Sequence, residues 1–152
     1  ELRPLMGDWV FGCDICQDVC PVNRKAAAGS DPAFQKRHDF DAPELLPLLE
    51  MDDDEFRERF RNSPIKRAKR LGLQRNVCVA LGNIGDARAI PALKKALTDD
   101  DSVVRLHAGW ALGRIGGDVA LGYLKSASEH ETDSDVKSEI ELSITESDSS
   151  NR

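Results

Sequence analysis

From residue 43 onward the apolar positions recur at helical spacing. Leu45, Leu46, Leu48 and Leu49 predict a short apolar helix, disturbed by Pro47. The acids at 52–54 suit the first turn of a helix carrying Phe56 and Phe60 on one face. Ser63-Pro64 reads as an N-cap with proline at the first helical position. The helix it opens is expected to run to about Leu71 and stop at Gly72. Val77, Ala80, Leu81 and Ile84 then form one stripe, and Val104, Ala108, Ala111, Leu112 and Ile115 form another. Between them, residues 87–97 predict a helix with Ile90, Leu93 and Leu97 inward and Pro91 in its first turn, where lost amide donors matter least. Residues 98–102 supply the turn and cap into the next helix.

An internal repeat underlies this pattern. Ala80-Leu81-Gly82-Asn83-Ile84-Gly85 recurs as Ala111-Leu112-Gly113-Arg114-Ile115-Gly116, an offset of 31. A helix pair at that period resembles short HEAT-like repeats, which stack into an α-solenoid. Gly82 and Gly113 are expected where two helices touch closely. Residues 119–128 and 136–144 predict a weaker last pair, and the acidic, serine-rich stretch from Thr145 reads as disordered. The expected fold is all-α, a short HEAT-like solenoid preceded by a truncated ferredoxin-type iron–sulfur segment. Its boundaries read as 1–25 for the iron–sulfur segment, 26–42 for a linker, 43–146 for the helical repeats and 147–152 for a disordered tail.

The chemistry-bearing stretch lies before the helices. Cys13, Cys16 and Cys20 are spaced C-x2-C-x3-C-P. That is the back end of the bacterial ferredoxin run C-x2-C-x2-C-x3-C-P, whose thiolates hold 4Fe–4S clusters. Val10 stands where the run would have its first cysteine. In two-cluster ferredoxins the cysteine before the proline crosses to the other cluster, so Cys13 and Cys16 would serve one cluster and Cys20 a second. Three thiolates complete neither. A structural zinc site would want a second C-x2-C or a histidine pair; Cys78 sits inside an apolar helical pattern, and His38, His107 and His130 show no paired spacing. A secreted disulfide framework fits no better, and clustered cysteines suit a reducing cytoplasm. Cys78 reads as a small core residue.

Charge adds a second candidate site. The net charge of −6 hides a block from Phe56 to Asn76 with eight Lys or Arg against the single acid Glu58. Residues 41–55 carry seven acids and no Lys or Arg. Lys66, Arg67, Lys69 and Arg70, with Arg75-Asn76 beyond, form a cluster that would gain affinity for phosphates through counterion release. The alternative is a solvated face paired with the preceding acids. No apolar run is long enough for a membrane span. The start lacks an initiator Met and a signal-peptide pattern, and reads as a cut through a longer protein.

Taken together, these residues resemble the epoxyqueuosine reductase family. The resemblance rests on Trp9 through Asn23 with its three cysteines, then Phe56-Arg57-x-x-Phe60, then Ser63-Pro64-x-x-Arg67-x-x-Arg70-x-Gly72-Leu73-x-Arg75-Asn76, then Ala80-Leu81-Gly82-Asn83. It implies the C-terminal part of a cobalamin-dependent oxidoreductase with two 4Fe–4S clusters, which reduces epoxyqueuosine to queuosine in the tRNA anticodon loop. It implies that Cys13 and Cys16 ligate the inner cluster and Cys20 the outer, and that the Cys13-Asp14 loop lies near the cobalamin. It also implies tRNA contacts at Lys66, Arg67, Lys69, Arg70, Arg75 and Asn76. The family's corrinoid domain, first cysteine motif and catalytic acid are not in this chain, so no catalytic residue is expected in it. A cytoplasmic monomer with tRNA as partner follows, with a reductant protein this stretch does not name. The residues alone also admit a HEAT-like protein-binding scaffold, or a ferredoxin-like electron-transfer subunit sharing clusters with a partner.

Overall fold

A computed structural model describes residues 2–27, 29–32 and 43–150, with side chains as far as residue 147. Among these residues the secondary structure is entirely helical. The α-helices are α1 (Ile15–Asp18), α2 (Leu45–Glu50), α3 (Asp53–Arg59), α4 (Lys69–Ile84), α5 (Ile90–Ala96), α6 (Ser102–Ile115), α7 (Asp118–His130) and α8 (Ser134–Ser150). The chain divides into two compact units: one holds Glu1–Phe11 with Leu45–Arg152, the other Gly12–Glu44.

In the larger unit, α6 packs between α4 and α8, while α5 lies against α2 and α6, and α7 against α6 and α8. The predicted stripes make this core. Leu73, Val77, Ala80 and Leu81 of α4 are buried with Val104, Ala108, Ala111 and Leu112 of α6. Leu93, Leu124, Val136 and Ile140 close it from α5, α7 and α8. Ile84 departs from its stripe and is 52% exposed, at the turn where α4 ends on Gly85. The Phe56 and Phe60 rings pack together, centroids 5.0 Å apart. Asp52 caps α3 through a capping box with Glu55, which satisfies two of the amide donors a helix start leaves open.

Small residues set how closely the long helices approach. A Cβ built on Gly82 would lie 2.7 Å from the Trp110 ring and 3.0 Å from the Ala111 Cα. One on Gly113 would lie 2.6 Å from the Ser143 Cβ. These are the first glycines of the two repeat copies, and they stand at the α4–α6 and α6–α8 contacts. Equivalent positions of the repeat also do equivalent work. Gln74 donates to the carbonyls of Leu49 and Met51 at 2.7 and 2.9 Å. Arg105, 31 residues on, donates to the carbonyls of Asp99 and Asp100 at 2.8 and 3.2 Å. Gln74 holds the end of α2 against α4, and Arg105 holds the α5–α6 turn against α6.

Three expectations change. The helix opened by Ser63 is a 3-10 turn, Pro64–Ala68, and it ends at Lys69 rather than at Gly72. Gly72 lies inside α4, where the apolar register of Leu73 and Val77 carries the helix through. Next, α8 continues to Ser150, where the composition reads as disordered. Its serines are small enough to approach α6, and the Ser147 hydroxyl donates to the Gly113 carbonyl at 2.7 Å. Finally, residues 2–11 belong with the helices. Asn83 donates to the carbonyls of Arg3 and Gly7 at 2.9 and 2.7 Å, and Asn76 to that of Val10 at 2.8 Å. Arg3 lies over the Trp110 ring and pairs with Glu139 at 2.7 Å.

The smaller unit holds α1 and a 3-10 turn, Asn23–Lys25. Part of the linker predicted over 26–42, with His38, lies outside the described residues.

Candidate cluster-ligand segment and nucleic-acid interface

The cysteine segment is a loop wound about one short helix. The backbone takes positive φ at Gly12 (64°) and again at Asp14 (44°), which aspartate tolerates better than most residues. The Asp14 carbonyl then accepts from Gln17 and Asp18 at 2.7 and 3.1 Å and starts α1. Cys13 precedes this turn, Cys16 lies in it, and Cys20 follows it, its amide donating to the Gln17 carbonyl at 3.3 Å. Asn23 fastens the exit by donating to the same carbonyl at 3.1 Å. Cys13 and Cys16 are exposed and Cys20 half-buried, all as free thiols.

In kind this donor set fits an iron–sulfur group: soft thiolates, reduced and open to solvent. In number it is three where a cubane takes four. Among the described residues no three His, Cys, Asp or Glu side chains are gathered as a metal site. Cys78 is separate from this chemistry. It is fully buried, and burial, with the Asp99 charge adding to it, pushes its thiol far above the usual range.

The basic cluster divides into two groups. Lys66, Arg67 and Lys69 are exposed on the 3-10 turn and the residue after it, and Arg75 is exposed on α4. The turn is fixed by the Ser63 hydroxyl, which accepts from the Ile65 amide at 3.3 Å. Lys69 has φ 58° and ψ 170°, a region populated almost only by glycine. That elbow breaks the i, i+4 spacing expected for Lys66 with Arg70 and for Ile65 with Lys69.

Arg70 and Asn76 face inward. The Arg70 side chain is 16% exposed and forks onto Asp99, with Nη1 and Nη2 at 2.8 and 3.2 Å from the two carboxylate oxygens. Its Nη1 also donates to Gln74 Oε1, and its Nε lies 3.5 Å from Asp53. The hydrogen bond to Asp99 leads in raising the Arg70 pKa. At Asp99 burial opposes the charge, yet the bonds from Arg70 and the Asp101 amide outweigh it and hold the carboxyl below its usual range. Asn76 is tied to Val10, while Arg75 Nε donates to Asn76 Oδ1 at 3.0 Å. Of the flanking arginines, Arg57 pairs with Asp54 and Arg61 with Glu58 on the α3 surface. The preceding acids thus pair with part of the basic block, while Lys66, Arg67 and Lys69 make no ion pair among the described residues.

The hub of Arg70, Gln74 and Asp99 was not anticipated from the sequence. The signal available was the repeat itself, since Gln74 and Arg105 occupy matching positions. A second Arg–acid fork, Arg105 with Glu131 at 2.8 and 3.1 Å, lies beside it.

The stacked helix pairs and their glycine contacts define a repeat protein, and the chain belongs to the HEAT-repeat family, whose model matches residues 68–145. Within that class it matches a C-terminal part of epoxyqueuosine reductases. It is 39% identical over 117 residues to the epoxyqueuosine reductase of Xanthomonas campestris, covering 76% of this chain and 33% of that protein. With the Bacillus subtilis enzyme it shares 35% identity over 145 residues, 95% of this chain and 38% of the relative. A crystal structure of epoxyqueuosine reductase with an epoxyqueuosine-modified tRNA-Tyr stem loop superposes with a TM-score of 0.90 at 34% identity, over 97% of this chain and 40% of that one. The chain therefore spans little more than a third of the length of these curated relatives. No helix among the described residues is long and apolar enough to cross a membrane.

Proposed function

We propose that this chain is the cluster-ligand and tRNA-docking part of an epoxyqueuosine reductase, an oxidoreductase that converts epoxyqueuosine to queuosine in the anticodon loop of tRNA. The observation that carries the reading is the likeness, over 97% of the chain, to a reductase bound to a modified tRNA stem loop. The exposed cations Lys66, Arg67, Lys69 and Arg75 add to it, because phosphate contacts need solvent-facing charge on a fixed backbone.

In this reading Cys13 and Cys16 supply thiolates to one 4Fe–4S cluster and Cys20 to a second, with the remaining ligands from elsewhere in the longer polypeptide. The clusters, with the cobalamin that Asp14 would adjoin, supply electrons for the reduction when bound. This chain's own tasks are to hold iron through three sulfurs and to grip RNA through its basic turn. Iron content of the full-length protein, compared with its Cys13→Ala, Cys16→Ala and Cys20→Ala variants, tests the first task. Loss of the cluster absorbance in each variant supports it, and unchanged iron in all three refutes it.

Fluorescence anisotropy with an anticodon stem-loop RNA tests the second task. Lys66→Glu with Lys69→Glu should weaken binding at least tenfold and flatten its salt dependence by roughly 0.7–0.9 in log–log slope per lost phosphate contact. Unchanged, salt-insensitive binding would remove the basic turn from the interface.

A further inference from the structure

Of the cations in the basic block, Arg70 is the one built into the protein. Its guanidinium joins three separate pieces of chain. Asp99 belongs to the turn between α5 and α6, and Asp53 opens α3. Gln74, 2% exposed, passes the connection to the carbonyls of Leu49 and Met51 at the end of α2. Asp99 is itself fixed, since its Oδ1 accepts from the Asp101 amide at 2.9 Å. Immediately before Arg70 stands Lys69 in its glycine-like conformation. A lysine stays there only where its surroundings over-determine the backbone. The Ser63–Pro64 cap fixes the chain on one side of the elbow, and the Arg70 hub fixes it on the other.

We propose that Arg70 is a positioning residue for RNA binding: locked onto Asp99 and Gln74, it holds the Lys69 elbow so that Lys66, Arg67 and Lys69 present a preformed cationic turn, and it does not itself contact phosphate. This deepens the tRNA-docking reading and rests on it. The physical reason is preorganisation. Three long side chains on a floating turn lose more conformational freedom on binding than the same three on a fixed one. An arginine fork on a carboxylate is a planar, bidentate lock that lysine cannot reproduce.

Direct contact and positioning predict opposite signs for Asp99→Asn. If Arg70 bound phosphate, releasing it from Asp99 would add a free cation and tighten binding. If Arg70 positions the turn, releasing it loosens the turn and weakens binding. The full-length protein is titrated against an anticodon stem-loop RNA by anisotropy across a salt series, at a temperature where each variant retains its helical circular dichroism. We expect Asp99→Asn and Arg70→Gln to weaken binding about three- to tenfold, with the slope of log affinity against log salt unchanged. The double variant should be no weaker than either single one. Arg70→Lys should not restore affinity, although it keeps the charge. Tighter or unchanged binding by Asp99→Asn overturns the proposal. So does a slope reduced by about one phosphate contact in Arg70→Gln, or full rescue by Arg70→Lys. Failure of Lys66→Glu with Lys69→Glu to change binding would instead overturn the docking reading itself, which separates the two results.

Discussion

Replacing Gly82 by alanine tests whether small residues set the spacing of the long helices. The added Cβ would meet the Trp110 ring at 2.7 Å and the Ala111 Cα at 3.0 Å, where ordinary contact begins at 3.4 Å. The ring is poorly placed to give way, being 4% exposed and covered by the Arg3 guanidinium 4.9 Å from its centroid. The Ala111 contact is to backbone, so α4 and α6 must separate. Overpacking of this kind costs about 1–3 kcal/mol, and two stiff contacts put it toward the upper end. Alanine returns about 1 kcal/mol of helix propensity. The net loss is about 1–2 kcal/mol, which lowers Tm by roughly 2–8 °C in a chain of this size. Gly122 is the control: it is exposed in α7, and a Cβ there meets nothing within 4 Å. Gly122→Ala should gain about 0.5–1 kcal/mol. Thermal and urea denaturation of both variants checks the pair, and shifts in the same direction would refute the close-contact argument.

Lys69→Gly should raise stability by about 1 kcal/mol in the same assays, since relief of a glycine-only conformation exceeds the added freedom of the unfolded chain; Lys69→Ala should not. Brief alkylation under native conditions, read by mass spectrometry, should label Cys13, Cys16 and Cys20 and spare Cys78 until the protein is unfolded, because Cys78 is fully buried and its thiol is held protonated. The carboxyls of Asp99 and Glu131 are both held below their usual range, Glu131 chiefly by its hydrogen bond from Arg105. Their contribution to stability is therefore present above the unfolded-state values near about pH 4 and is lost as the pH falls through the lower folded-state values. Tm measured from pH 7 to 3 should fall more shallowly below about pH 4 in Asp99→Asn than in the parent.

Much of the helical unit could be read from the chain because its signals are local and repeated. Gly82 and Gly113 announce close approach through their position in the repeat, and the Val104–Ile115 stripe has one helical solution. The elbow at Lys69 was hidden because nothing in a lysine advertises positive φ, while Gly72 three residues on is the more usual stop. Arg70 looked like its neighbours because its partner Asp99 is 29 residues away. The serine-rich end misled for a related reason: the composition that marks a solvated tail also marks a helix able to press against a glycine. In the cysteine segment the spacing marks Cys13, Cys16 and Cys20 as one short run, which the structure shows as free thiols wound about α1.

The run from Gly12 to Glu44 leaves one body and returns to it, since residues 2–11 and everything from Leu45 belong to the same unit. The short leading piece is held there by Asn83, Asn76 and Arg3 through bonds independent of chain continuity. A protease that severs the excursion should therefore produce two peptides that travel together through a sizing column and part only in denaturant. Both ends of the Gly12–Glu44 run are thereby anchored in the larger unit, so the entropy of closing that run is met by the larger unit's own bonds rather than by anything bound at Cys13, Cys16 and Cys20.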